Sequence, residues 1–233
     1  MPGANPELLR TISIFEALPT ERLQDIFERC QWARYPRNTQ IIGEHDDTSD
    51  VFLIVQGSVL AKSFSASGKE VTYTEIPTGH IFGEFSAIDG APRSASVDTA
   101  DGCMVARMSA VNFRRLLHEN PDIGLSFCEY LVVKIRALTQ RVFELSTLSV
   151  RHRIYSELVR LADKASPGQA SAIVKPAPSH YEFATRIGTH REAVSREFSH
   201  LATLKIVSAG RREIQILDVD RLKHMVAAVH LAE

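Results

Sequence analysis

The residues with the clearest potential for chemistry lie between His80 and Val97, in the stretch HIFGEFSAIDGAPRSASV. Gly83 has no Cβ, so the backbone N–H groups beside it can come close to a ligand. A short helix beginning at Glu84 would direct its unpaired N–H groups at a nearby anion. Arg93 can hold two phosphate oxygens with its planar guanidinium, and Glu84 can accept from a ribose hydroxyl. The stretch predicts a pocket for a small nucleotide phosphate; the alternative is an ordinary hairpin with a surface ion pair.

The pattern F-G-E followed by P-R-S-A resembles the phosphate-binding cassette of cyclic-nucleotide-binding domains in the cAMP receptor protein / FNR (Crp/Fnr) family of bacterial regulators. The segments DVFLIVQGSV and TGHIFGE resemble the β-roll of the same family. Asn38 and His45 stand where glycines are expected in the family, and His tolerates a left-handed backbone less well than Asn. The resemblance implies cAMP or cGMP as an allosteric effector, no metal, and a ligand site made of Gly83, Glu84, Phe85, Arg93, Ser94 and Thr139.

Composition and length limit the class of protein. The chain has 233 residues, of which 44% are apolar and 24% charged, typical of a soluble globular protein with one large or two modest domains. No apolar run is long enough to cross a bilayer, and the N-terminus lacks the apolar region of a signal peptide. The three cysteines, Cys30, Cys103 and Cys128, include no CxxC pair, which argues against a disulfide framework, a zinc site or an iron–sulfur cluster. We expect a cytoplasmic protein.

The charges are distributed unevenly along the chain. Residues 151–233 carry 13 Lys and Arg against 9 Asp and Glu, whereas residues 1–150 carry 14 against 19. The C-terminal third thus has an excess of four positive charges, and a basic surface suits binding to nucleic acid.

The apolar pattern predicts an α+β fold. Residues 7–33 have apolar positions at helical spacing, with a helix start at Pro19-Thr20-Glu21. From Tyr35 to Ser109, short apolar runs alternate with turn residues, which predicts an antiparallel jelly roll. The predicted strands are 51–57, 58–64, 70–76 and 103–108. We assign residues 1–120 to this cyclic-nucleotide-binding β-roll domain.

A long helix is predicted over residues 121–149. Its apolar residues are spaced 3, 4, 3, 4 and 3 apart, which is the heptad seam of a helix that pairs with an identical helix. The alternative is a helix packed on its own β-roll. Phe127, Tyr130 and Val133 supply apolar surface for that contact, so one helix could pack on its own domain and pair with its twin. Thr139 follows Leu138, and the resemblance places these two residues beside the base of the nucleotide. The seam residues are Cys128, Leu131, Ile135, Leu138, Val142 and Leu145.

Residues 150–233 predict a winged helix-turn-helix domain. An amphipathic helix over residues 150–165 is followed by a loop with a short strand at 172–175. Ser179 and Glu182 form a capping box that opens the next helix, Gly188 makes the turn, and Thr189 begins the second helix. Residues 205–217 predict a hairpin with its turn at Ala209-Gly210, and Asp218 caps a final helix.

The second helix of this motif carries a candidate DNA-reading face. Arg191, Glu192, Ser195 and Arg196 share a face near its N-terminus, where a recognition helix reaches base edges in the major groove. Arg can bind guanine and Glu can accept from cytosine. R-E-x-x-S-R also resembles the base-reading pattern of the Crp/Fnr family. The alternatives are a capping box of Thr189 with Glu192 and a solvated face for the arginines. In the wing, Arg211 and Arg212 are expected to bind phosphates.

Together these features predict a homodimeric, cyclic-nucleotide-controlled regulator that binds a palindrome in double-stranded DNA, with RNA polymerase as an expected partner and no membrane association. A second hypothesis keeps the DNA-binding domain but gives the pocket another ligand, such as haem, a gas or a redox signal, or none. A third is an enzyme such as a nucleotide hydrolase; because the sequence has no Ser-His-Asp spacing, metal cluster or Walker loop, we expect a protein that is not an enzyme.

Overall fold

The computed structural model describes residues 5–68, 70–210 and 212–227. Two 3₁₀ segments, Pro6–Thr11 and Ser13–Phe15, precede the α-helices, which are α1 (Thr20–Glu28), α2 (Glu84–Asp89), α3 (Ala110–Glu119), α4 (Pro121–Thr147), α5 (Val150–Ala165), α6 (His180–Ile187), α7 (Arg191–Thr203) and α8 (Val219–Ala227). The strands are β1 (Gln31–Tyr35), β2 (Gln40–Ile42), β3 (Val51–Gln56), β4 (Ser58–Phe64), β5 (Glu70–Pro77), β6 (Ile81–Phe82), β7 (Ser96–Thr99), β8 (Cys103–Met108), β9 (Ala172–Val174), β10 (Val207–Gly210) and β11 (Glu213–Ile216).

The N-terminal region is the expected antiparallel β-roll, within an α+β fold. One sheet has the strand order β1-β8-β3-β6 and the other β2-β7-β4-β5. Their facing sides bury one apolar core, in which the rings of Phe52 and Phe82 stack with centroids 4.8 Å apart. The opposite side of β3 packs on a second core formed with the N-terminal helices, α3 and the start of α4. Because both faces of β3 are covered, its sequence is a continuous apolar run rather than an alternating one.

Strand β1 and two turns of the β-roll differ in detail from what the sequence predicts. The helical spacing over residues 7–33 extends beyond the helix itself. Helix α1 ends at Glu28, and Gln31–Tyr35 is strand β1, which pairs along its whole length with β8. Asn38 and His45, in place of the expected glycines, both have left-handed backbone, with φ of 59° and 71°. The turns therefore keep the conformation that glycine would favour, at a steric cost that is larger for His45.

Helix α4 confirms the predicted long helix. Phe127 is buried and Tyr130 packs against the same core, whereas Val133 is 67% exposed and does not supply the expected contact with the β-roll. Four apolar seam residues remain largely exposed: Ile135 (60%), Leu138 (51%), Val142 (63%) and Leu145 (45%). None of the helices among the described residues has an apolar stretch long enough to cross a bilayer. The chain forms two compact units that divide within α4, after Ile135.

The C-terminal unit contains the helix-turn-helix and its wing. The side chain of Ser179 accepts from the Glu182 N–H (3.2 Å) and that of Glu182 from the Ser179 N–H (2.6 Å), which confirms the capping box. Gly188 ends α6 in a left-handed conformation, with φ of 65°. The sheet order is β10-β11-β9, and the Asp218 carboxylate caps α8 by accepting from the Arg221 N–H (2.9 Å).

Two boundaries differ from the sequence-based expectation. Helix α7 begins at Arg191 with His190 as its N-cap, not at Thr189. The Thr189 N–H is used to close the preceding turn on the Ala184 carbonyl (3.0 Å), so Thr189 still belongs to that turn. In the wing, Gly210 pairs with Glu213, which moves the turn beyond the predicted Ala209-Gly210.

Candidate functional site

Arg93 is the centre of the predicted cassette. Its side chain donates from Nε to Thr48 Oγ1 (2.9 Å), from Nη1 to the Gly83 carbonyl (2.8 Å) and from Nη2 to the Asp50 carbonyl (2.8 Å). The residue is only 3% exposed, and this burial lowers the pKa of its guanidinium, while nearby carboxylates, Asp50 first, oppose the shift. A guanidinium has five N–H groups, so one on each terminal nitrogen is left for an anion.

Gly83 allows the backbone to close on Arg93. It precedes α2 with φ of 80°, in the left-handed region, and offers no side chain to cap the first N–H groups of that helix. A Cβ built at this position would lie 2.7 Å from the Asp50 carbonyl oxygen and 2.8 Å from Arg93 Nη1. Glycine is therefore required twice here, by backbone conformation and by space.

We expect Gly83→Ala to lower the free energy of unfolding more than the same change at Gly90, the residue that ends α2. Both residues have left-handed backbone, which costs about 1–2 kcal/mol for alanine, but the space around Gly90 is open within 4 Å. At Gly83 the clash of the new Cβ with Asp50 and Arg93 adds about 1–3 kcal/mol to that loss of stability. It also shifts the guanidinium. Urea unfolding compared between the two variants measures the difference; equal losses of stability would contradict the close approach.

Glu84 is paired within the chain. Its carboxylate is 3% exposed and accepts from Lys134 Nζ on α4 at 2.8 Å. Tyr130, one turn earlier on α4, donates to the Ile81 carbonyl (2.8 Å), and its ring lies 4.6 Å from Lys134 Nζ. Burial disfavours the charged ammonium, but Glu84 and Tyr130 outweigh it and raise the pKa of Lys134. Two residues of α4 are thus fixed to the segment that carries the cassette.

Lys134 and Tyr130 were not predicted as site residues. The available signal was their spacing, because Phe127, Tyr130 and Lys134 are three and four residues apart and share one face of α4. The apolar residues of that face predict packing on the β-roll, and a lysine among them is ordinarily a solvated residue.

The other predicted ligand residues are exposed. Phe85 is 50% exposed on α2, next to Glu84, and Ser94 is exposed directly after Arg93. Thr139 is exposed on α4, five residues after Lys134 and within the C-terminal unit. The structure therefore brings together Gly83, Glu84 and Arg93, with Phe85 and Ser94 as their chain neighbours.

Helix α7 presents the predicted DNA-reading face. Its buried face consists of Val194, Glu197, Phe198 and Leu201. Arg191, Glu192 and Arg196 are exposed on the other side, near the N-terminus of the helix. Ser195 is half-buried, and its Oγ lies 2.8 Å from Nδ1 of His180 on α6. The capping box proposed as an alternative for Glu192 is not formed, because His190 takes the N-cap position without a side-chain hydrogen bond.

A buried carboxylate that the sequence did not reveal anchors α7. Glu197 is 8% exposed and accepts from Tyr155 Oη (2.6 Å) and Arg151 Nε (3.0 Å), both on α5. In the wing, Arg212 is exposed with φ of 58°. Arg211 lies outside the described residues.

Comparison with known proteins agrees with this geometry. A family model described as "Cyclic nucleotide-binding domain" matches residues 32–120, and one described as "Crp-like helix-turn-helix domain" matches residues 152–225. The chain is 27% identical over 208 residues to the "cAMP-activated global transcriptional regulator CRP" of Haemophilus influenzae, covering 88% of this chain and 93% of the relative.

Two solved structures share the fold. One is the c-di-GMP responsive global regulator CLP of Xanthomonas campestris, with a TM-score of 0.75 and 19% identity over 85% of this chain and 99% of that one. The other is FixK2 of Bradyrhizobium japonicum, with a TM-score of 0.73 and 17% identity over 84% and 96% of the two chains. Because the β-roll and the helix-turn-helix are each matched, in the order that the structure shows, the chain belongs to the Crp/Fnr family of DNA-binding transcription regulators.

Proposed function

We propose that the protein is a homodimeric transcription regulator whose DNA binding is controlled by a cyclic nucleotide, cAMP or cGMP. The observation that carries the proposal is the cluster of Gly83, Glu84 and Arg93, a glycine-bounded helix start with a buried acid and a buried guanidinium. The "cAMP-activated" relative from Haemophilus influenzae supports a nucleotide as the effector.

In this proposal each residue of the cassette has its own task. The two remaining N–H groups of Arg93 bind the cyclic phosphate, assisted by the hydroxyl of Ser94 and the first N–H groups of α2. The Glu84 carboxylate accepts from a ribose hydroxyl, beside the exposed ring of Phe85. Thr139 meets the base from the long helix and can serve either adenine or guanine.

The ion pair between Glu84 and Lys134 supplies a way to couple the pocket to α4. A ribose hydroxyl that bonds to Glu84 changes the surroundings of Lys134, which lies on the same helix as the exposed seam. A coupling of about 1–3 kcal/mol between effector and DNA would be ordinary for such a switch.

The exposed seam of α4 is the proposed dimer interface. Ile135, Leu138 and Val142 expose half or more of their surface, and apolar side chains in a continuous row are typical of a covered interface. A parallel pair of such helices places each seam residue opposite its own copy.

Cys128 provides a direct test of this dimer. It is an exposed seam residue, whereas burial raises the pKa of the Cys30 thiol to about 12 and that of the Cys103 thiol to about 11. Mild oxidation should therefore link two chains through Cys128 and through neither other cysteine. Non-reducing electrophoresis should show a dimer that Cys128→Ser abolishes and that Cys30→Ser with Cys103→Ser retains; a dimer that persists in Cys128→Ser would contradict the seam.

In the proposed complex, each α7 enters the major groove of one half-site, the two half-sites being about 34 Å apart. Arg191, Glu192, Ser195 and Arg196 read base edges, while Arg212 and Arg211 bind phosphates. An activator of this type would also contact RNA polymerase. A gel shift on a G·C-containing palindrome with no ligand, cAMP or cGMP tests the proposal: we expect one nucleotide to tighten the complex.

The same experiment separates the other functions. Equal binding in all three lanes, together with no nucleotide binding by calorimetry, would leave a regulator with another ligand or none. A haem ligand would colour the purified protein. Conversion of the cyclic nucleotide to its linear monophosphate would indicate a hydrolase, and we expect none.

A further inference from the structure

A buried carboxylate joins three helices of the C-terminal unit. Glu157 on α5 is 5% exposed. Its Oε2 accepts from Arg160 Nε (3.0 Å), on the same helix, and from Arg141 Nη1 (3.2 Å) on α4, and Arg186 Nη1 on α6 lies 3.9 Å from Oε1. Moving one ion from water into a protein costs several kcal/mol unless it is paired. Glu157 is therefore held by arginines from α4, α5 and α6.

A second carboxylate extends this network along α4. Glu144 is 6% exposed and accepts from Arg160 Nη1 with both of its oxygens, at 2.8 and 2.9 Å. Burial alone would raise the pKa of Glu157, but Arg160, Arg141 and Arg186 outweigh it and lower that pKa. Glu157 thus keeps its charge near neutral pH, and the last two turns of α4 are bound to α5 through Arg141 and Glu144.

The end of α4 also touches the turn of the helix-turn-helix. Arg141 Nη2 donates to the carbonyl of Arg186, in the last turn of α6, where a cation is favourable. A Cβ added to Gly188, the turn residue, would lie 3.3 Å from Leu145 Cδ2. The α6–α7 turn therefore packs directly on the end of the long helix.

We propose that Glu157 and Arg141 are positioning residues for DNA reading, which fix α6, and with it α7, to the end of α4. The inference rests on the proposed function, because it concerns how two recognition helices are aligned in a dimer. Alignment matters only where both helices must enter successive major grooves at a set spacing. A single half-site needs an intact α7 but no alignment.

The test compares palindrome with half-site. A palindrome is first selected from random DNA by the wild-type protein. When both recognition helices of one dimer bind the two half-sites of a palindrome, the affinity rises about 10²- to 10⁴-fold over binding to a single half-site. We expect Glu157→Gln to remove about tenfold or more of that gain, to bind the isolated half-site within about twofold of wild type, and to lose less affinity than wild type when one base pair is inserted between the half-sites.

The controls keep the outcome decisive. Asp163→Asn makes the same isosteric change at an exposed ion pair, where Lys223 Nζ lies 3.4 Å away, and should alter none of these affinities. Arg141→Gln removes the contacts of α4 with Glu157 and with the Arg186 carbonyl but leaves Arg160 paired with Glu144. It should reproduce the Glu157→Gln pattern, which decides the matter if Glu157→Gln does not fold. Equal losses of affinity for the palindrome and the half-site would mean that the network only stabilises the domain locally, and would overturn the proposal. Unchanged binding to both would also overturn it. A wild-type protein that selects no palindrome would instead overturn the proposed function.

Discussion

Arg93→Ala should abolish the binding of cyclic nucleotide and also destabilise the β-roll. The side chain is buried and holds the Gly83 and Asp50 carbonyls and the Thr48 hydroxyl, so its loss leaves three acceptors without their charged donor. Leaving buried groups unpaired costs about 1–3 kcal/mol each, reduced where water enters. From sequence alone we would expect this variant to spare the fold; the structure gives Arg93 a second task.

Calorimetry with cAMP and cGMP, beside urea unfolding, separates the two effects. Arg93→Lys keeps the charge but cannot span three acceptors and a phosphate, so it should recover part of the stability and little of the affinity. Arg107→Ala is the matched control, because Arg107 is a half-exposed arginine of the same domain that donates to the Asp50 carboxylate (2.7 Å). Undiminished nucleotide binding by Arg93→Ala would reject the pocket.

Arg196→Ala should weaken binding to the selected operator by about 5- to 150-fold, since a bidentate contact from Arg to guanine is worth about 1–3 kcal/mol. Arg196 is exposed on the N-terminal half of α7, on the side away from its buried face. The loss should be confined to operators that carry the matching G·C pair, because base contacts specify sequence while phosphate contacts do not.

The salt dependence of binding decides between these two kinds of contact. Removing a phosphate contact lowers the slope of log K against log salt by about one, whereas removing a base contact leaves it nearly unchanged. Lys223→Ala removes the same charge from an exposed site on α8 and serves as the control. A uniform loss on every sequence with a lower slope would assign Arg196 to the backbone of the DNA.

Most of the architecture could be predicted because it follows from periodicity and turn chemistry. Strands β3, β4, β5 and β8, the long helix and the capping box at Ser179 are local patterns, and the structure has them within two residues of the predicted bounds. The predicted boundaries were wrong where backbone hydrogen bonds between nearby residues decide how an element ends. The Thr189 N–H closes the turn after α6, and the pairing of Gly210 with Glu213 lengthens the wing.

The charged interior could not be predicted in the same way. Glu144, Glu157 and Glu197 lie on amphipathic helices, where a carboxylate is ordinarily solvated. Their burial depends on arginines and a tyrosine from other helices, which only the tertiary fold brings within reach. The pairing of Glu84 with Lys134, 50 residues later, has the same origin.

That last pair has a consequence for sensitivity. Without any ligand, Oε1 of Glu84, the residue proposed to accept from the ribose, already accepts from Lys134 Nζ (2.8 Å). Where the ribose needs that oxygen, the apparent affinity for the nucleotide equals the intrinsic affinity multiplied by the fraction of molecules in which the ion pair is open. A substitution at Lys134 would then change the nucleotide concentration at which the regulator responds. It would do so without altering any proposed contact to the phosphate, the base or the operator.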